Sequence, residues 1–187
     1  MTTSTLSFAS SIAGHLPFTR AGAAKSFDIG PVTRAAVAAV AIGFTAATLI
    51  ALTRGLLGFA PDHPNIRELS IMIHVSTVLP AVPLGGYLLL APKGGARHKR
   101  LGKLWLLLMV VTALSAIFIK TSGSFSPIHI FVPLTLWSSY KVIATARRGD
   151  MVGHKKEIVS LYLGALMIPG IVAFALPGRL MNMWLLG

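Results

Sequence analysis

The sequence contains no cysteine. That excludes disulfides, iron–sulfur clusters, thiolate metal sites and covalently attached c-type haem, which requires C-x-x-C-H. Acidic residues are almost as scarce, with five Asp and Glu among 187 residues. None falls in the middle of a long apolar run: Asp150 and Glu157 lie at one edge of the runs and Asp62 and Glu68 at the other. A carboxylate relay or ion site at mid-membrane, and with it a small-solute transporter, is therefore poorly supported. Charge of either sign is low, at 12% against roughly 25% in a soluble domain. No G-x-x-x-x-G-K-[ST], G-x-S-x-G or H-E-x-x-H motif occurs, which removes the commonest signatures of nucleotide, ester and zinc-dependent peptide chemistry.

What is abundant is apolar length. Hydrophobic residues make up 54% of the chain and the mean hydropathy is +0.74. They gather into blocks near the roughly 20 residues that a helix needs to cross about 30 Å of hydrocarbon. Five such blocks are read, at about 34–53, 70–91, 103–121, 127–146 and 157–176. The blocks are continuously apolar rather than alternating, which argues against a β-barrel. The expected fold is an all-α integral membrane protein of five transmembrane helices, the last four forming an antiparallel bundle. The transmembrane domain spans residues 31–187. Residues 1–30, rich in Ser, Thr, Ala and Gly, read as a mobile cytoplasmic tail rather than a cleaved signal peptide.

The net charge of +12 reads as topology. With the N-terminus cytoplasmic, the inner segments hold thirteen basic residues: Arg20, Lys25, Arg34, Lys93, Arg97, Lys99, Arg100, Lys103, Lys141, Arg147, Arg148, Lys155 and Lys156. The outer segments hold four: Arg54, Arg67, Lys120 and Arg179. This imbalance satisfies the positive-inside rule in one orientation only, and an inner, cytoplasmic membrane is the expected location. The basic loops are expected to attract anionic headgroups. A nucleic-acid partner is not expected, because no folded basic domain with base-reading residues is present.

The histidines fall in a pattern. The second to fifth helices each carry one at or near the N-terminal end: His74, His98, His129 and His154. Because the helices alternate in direction, His74 and His129 fall near the outer face and His98 and His154 near the inner face. Neutral imidazoles on two neighbouring helices can ligate a haem iron from both sides. One or two b haems would then be held, with His74 and His129 as the outer ligands. Helix rise puts His74 about 24 Å from the inner end of its helix, so electrons could pass between two haems. Quinol or a cytoplasmic reductant is the expected redox partner. Asp150 either caps the fifth helix or orients His154. Arg97, Lys99, Arg100, Arg148 and Lys155 suit haem propionates or lipid phosphates. The same histidines also admit a non-redox reading, in which they cap helices and the basic loops hold lipid. His15 and His63 read as loop histidines, and the small residues Thr77, Ala81 and Gly85 as helix packing or a slot for a flat ligand.

At "HKRLGK" and "RRGDMVGHKK" the chain resembles a family of bacterial predicted membrane proteins, domain of unknown function 2306 (DUF2306). The likeness falls on His74; on His98, Lys99 and Gly102; on His129; and on Arg147, Gly149, Asp150, His154 and Lys155. It covers roughly residues 68–176 and implies a membrane fold without implying an activity. In arrangement alone, the order of four histidines on four consecutive helices is similar to cytochrome b-561 proteins. There, alternate helices pair to hold two b haems. The intervals of 24, 31 and 25 residues between the histidines are shorter here and move the inner pair towards the interface.

Overall fold

Proline and glycine set the limits of the first helix. Pro31 occupies a first-turn position, where its missing N–H costs nothing, and the helix ends just before Gly58, at φ 76°. In the computed structural model, which describes residues 29–119 and 126–187, most of the described residues are helical and none is in a strand. Helix α1 is Pro31–Leu56, α2 Leu69–Leu90 and α3 Ala96–Ala116. A 3₁₀ turn, Pro127–Ile130, leads into α4, Phe131–Arg148. Helix α5 runs from Met151 to Ala175 and contains a π segment at Leu161–Met167. A short α6, Leu180–Leu186, follows. Most of the expected tail, His15 with it, and most of the 120–126 turn lie outside the described residues.

A helix lies in each of the five expected apolar blocks, and two helices start earlier than expected. Helix α3 begins at Ala96, taking in Arg97, His98, Lys99 and Arg100 as its first turn. Helix α5 begins at Met151, where the Asp150 carboxylate accepts the Gly153 N–H at 2.8 Å. Hydropathy marks where a chain enters hydrocarbon, whereas helix start is set by capping and by helix-forming residues, which Arg and Lys are. Helices α1, α2 and α5 are long and apolar enough to cross a membrane. Large apolar side chains such as Ile42, Leu49 and Leu107 stand exposed. The chain is a multi-pass membrane protein.

Two ends can be told apart. At the basic end, Arg34 at the start of α1 donates to the Leu90 carbonyl at the close of α2. There Lys141 of α4 also pairs with Glu157 of α5. At the loop end, α6 folds back onto α1. Arg54 donates to the Trp184 carbonyl at 3.0 Å and to the Gly187 carbonyl at 2.7 Å. The Trp184 ring lies so close over Gly55 that a Cβ there would come within 2.4 Å of it.

The core sits towards the basic end and is built on α2. Trp105 of α3 and Tyr162 of α5, both buried, meet at Gly85, where a Cβ would lie 2.6 Å from each. The Trp105 indole N–H donates to the Ala81 carbonyl at 2.9 Å, and the Tyr162 hydroxyl to the Val82 carbonyl at 3.1 Å. Around Ala81 and Gly85, the small-residue face of α2 thus receives aromatic rings of this chain and is not a slot for a flat ligand. Without a hydrophobic drive between helices in lipid, such close packing and hydrogen bonding are what hold them together. Within α5, Pro169 has no N–H for the Ala165 carbonyl, which breaks the regular α pattern where the helix supplies Tyr162 to this core.

Gly85→Val should destabilise the fold by about 1–3 kcal/mol, as an overpacked core does, and so lower the thermal midpoint in detergent. Gly43→Ala, which meets open space, should leave the midpoint unchanged or slightly raised. Equal effects of the two would remove the aromatic wedge as the reason for the glycine.

Candidate functional site

Above the Trp105–Tyr162 layer the helices part, and a cavity of about 250 Å³ opens towards the loop end. Its deep walls are apolar and come from several helices: Val78 and Val82 of α2, Met109 and Ala113 of α3, and Ala165 and Leu166 of α5. Its outer rim is polar, with His63, Asn65, Glu68, His129 and Arg179. This volume lies close to the lower end of the roughly 300–1,000 Å³ of ligand pockets.

His74 reaches this cavity from α2 and is clamped to α3. Its Nδ1 lies 3.0 Å from the Thr112 carbonyl oxygen and 3.2 Å from Ser115 Oγ. The carbonyl can only accept, so Nδ1 carries the proton and Nε2 keeps its lone pair. The Ser115 hydroxyl also donates to the Thr112 carbonyl, at 2.9 Å. The Thr112 hydroxyl donates to Thr77 Oγ1 at 2.8 Å, and Thr77 donates back to the Ile73 carbonyl. These hydroxyls tie α2 to α3 and fix the plane of the imidazole.

His129 reaches the same cavity from the 3₁₀ turn that precedes α4. Its Nδ1 lies 3.1 Å from the Ser126 backbone N–H and 3.0 Å from the Ser126 carbonyl. With Nδ1 accepting from the N–H, the ring caps the turn and carries its proton on Nε2. With Nδ1 donating to the carbonyl, Nε2 keeps a lone pair; that atom is buried. The structure thus brings His74 and His129 to one cavity.

His63 also lines this cavity. It is 8% exposed, and its Nδ1 accepts the Asn65 N–H at 3.3 Å. It belongs to the 57–68 connection, as the sequence suggests, but is folded inward.

At the basic end, His98 and His154 are electrostatic neighbours. The His154 Nδ1–H donates to the Val142 carbonyl of α4 at 3.0 Å, which leaves its Nε2 with a lone pair. His98 Nδ1 is buried and makes no hydrogen bond. Burial first, then the charges of His154 and Lys93, hold His98 below the ordinary imidazole range. Of the two roles open to Asp150, the structure gives it the cap; Val142 orients His154. The Arg97 guanidinium lies 5.3 Å from the Tyr87 ring centroid. Lys99, Arg100 and Arg148 are exposed and Lys155 is half-buried. The Lys141–Glu157 pair, with the Glu157 side chain 13% exposed, went unforeseen. Sixteen residues separate the two, so only the packing of α4 on α5 brings them together.

Among the described residues, no cluster of three or more His, Asp or Glu is placed to hold a bare metal ion. An iron that arrives with four ring nitrogens needs only two protein ligands.

The arrangement, helical and without strands among the described residues, defines a multi-pass membrane protein. Residues 71–181 match the family described as "Predicted membrane protein (DUF2306)". The match takes in more than half of the chain and all four of these histidines, and the chain belongs to that family. No curated protein and no solved structure matches the chain.

The depressed His98 pKa has a sign. The folded protein takes up this proton at lower pH than the unfolded chain, so the stabilisation is complete above the ordinary value of about 6.5 and is lost as pH falls through the depressed one. The thermal midpoint should therefore drop between pH 8 and pH 5 by more in the wild type than in His98→Gln. Parallel profiles would show that His98 is not held neutral by the fold.

Proposed function

We propose that this protein is a b-haem electron carrier of the bacterial inner membrane. Five helices cross the bilayer, α3 and α4 included. The N-terminus is cytoplasmic, and α2–α5 form the antiparallel bundle that holds the haem. The observation that carries the proposal is the His74 imidazole. It lies in a cavity that His129 shares, and its Nδ1–H is anchored to a backbone carbonyl, which leaves Nε2 as a lone-pair donor. Metal-ligating histidines characteristically fix their tautomer through such a second hydrogen bond. His154, anchored by Val142, repeats the arrangement at the basic end.

The residues present fit the group. His74 and His129 would hold the outer haem, His129 in the tautomer whose Nδ1–H donates to the Ser126 carbonyl. His98 and His154 would hold a second one. When bound, haem supplies a one-electron couple. The chain does the rest. The Thr112 carbonyl raises the basicity of His74 and fixes its plane. The apolar walls keep water from the ring. The fold favours a neutral His98, the form that can ligate. Basic residues such as Arg97, Lys99, Arg100 and Arg148 would neutralise propionates or headgroups at the basic end. Quinol or a cytoplasmic reductant is the proposed electron source.

A second reading rests on the Ser126 N–H contact. If His129 only caps its turn and His74 only ties α2 to α3, the protein is a non-redox structural or lipid-binding membrane protein.

Purified protein from haem-supplemented cells should give a dithionite-reduced minus oxidised spectrum with a sharp α-band. That band should be reduced or lost in His74→Ala and in His129→Ala. A colourless wild type would favour the second reading.

A further inference from the structure

Helix α6 stands at the loop end of the cavity as a separate piece. Residues 176–179 join it to α5: Leu176 is extended, Pro177 follows, and Gly178 takes φ 77°. Gly178, Leu180 and Met181 line the cavity, so this joint and the first turn of α6 are part of its wall. A helix of seven residues is not stable by itself in water. Of its side chains only Trp184 is buried. What keeps α6 in place lies mostly at its edges. Arg54, 130 residues away on α1, donates to the Trp184 and Gly187 carbonyls. Carbonyls at the end of a helix have no intrahelical N–H to accept from, and a cation suits that end. The Trp184 ring covers Gly55. The Asn182 amide donates to the Phe174 carbonyl, in the last turn of α5, at 2.7 Å. An element held by one buried ring and a few side-chain hydrogen bonds opens at lower cost than the packed helices beneath it.

We propose that α6 is a hinged lid on the cavity, with its joint at Pro177–Gly178 and Arg54 as its latch. While Arg54 caps α6, the lid is shut. When the latch lets go, the first turn of α6 leaves the wall. The cavity then opens at the loop end to a small, uncharged, mainly apolar molecule, which is what its deep walls accept. Gly178 suits the joint because glycine reaches positive and negative φ at little cost. The lid controls entry whatever the cavity holds, so the proposal is independent of haem binding.

The chain has no cysteine, so a single introduced thiol reports alone. Ala113→Cys places one in the cavity wall and Val37→Cys places one in the core, away from the cavity. The test is the rate at which N-ethylmaleimide labels each thiol in the full chain, held in lipid nanodiscs and prepared without added haem. Adding Arg54→Gln, which removes hydrogen bonds from a charged donor, should speed labelling of Ala113→Cys roughly tenfold. Adding Asn182→Leu, which removes one neutral hydrogen bond, should speed it by a smaller factor. Labelling of Val37→Cys should stay slow in both. Should Arg54→Gln loosen the whole chain, seen as faster labelling of Val37→Cys, Asn182→Leu decides by the same comparison. Labelling of Ala113→Cys that neither change speeds relative to Val37→Cys would overturn the proposal.

Discussion

Two aromatic side chains, Trp105 and Tyr162, close over one face of α2 at Gly85, and the rest of the structure depends on that contact. It binds α3 and α5 to the same helix, each through a ring against glycine and a hydrogen bond to a backbone carbonyl. In a bilayer, where apolar surface gains nothing by leaving lipid, such contacts decide which helices are neighbours. The wedge fills the basic half of the packed helices. Above it the helices part, and the cavity shared by His74 and His129 opens.

The histidines are anchored in turn by that packing. His74 is held by a carbonyl of α3 and His154 by a carbonyl of α4. In each case one nitrogen is used by the fold and the other is left over. Such an arrangement supplies strength to the helix contact and a ligand atom at once, and this is why one geometry supports both a redox and a structural reading. The two differ in what happens at the second nitrogen, and at His129 they differ in which nitrogen carries the proton.

Much of this was legible in the sequence, because it rests on periodicity and length. The apolar blocks located five helices, and the alternation of helix direction suggested which histidines would be neighbours; the structure brings His74 and His129 to one cavity and His154 near His98. Helix starts were less legible. Arg97–Arg100 and Met151–Lys156 are polar yet helical, so hydropathy put the α3 and α5 boundaries too late. Contacts between distant residues were not legible at all. Lys141 with Glu157, Arg54 with Trp184, and the inward fold of His63 each depend on how whole helices and loops pack. Gly85 looked like room for a neighbour, and only the structure shows that the neighbours are Trp105 and Tyr162.

The central claim is that each histidine pair presents two nitrogens to one iron. Electron paramagnetic resonance of the oxidised, haem-loaded protein tests it most directly. The account predicts low-spin ferric signals of two imidazole ligands, with the outer-pair signal replaced by a high-spin one when either His74 or His129 becomes Ala. A wild type that is high-spin throughout, or one whose low-spin signals are unchanged by both substitutions, would contradict it.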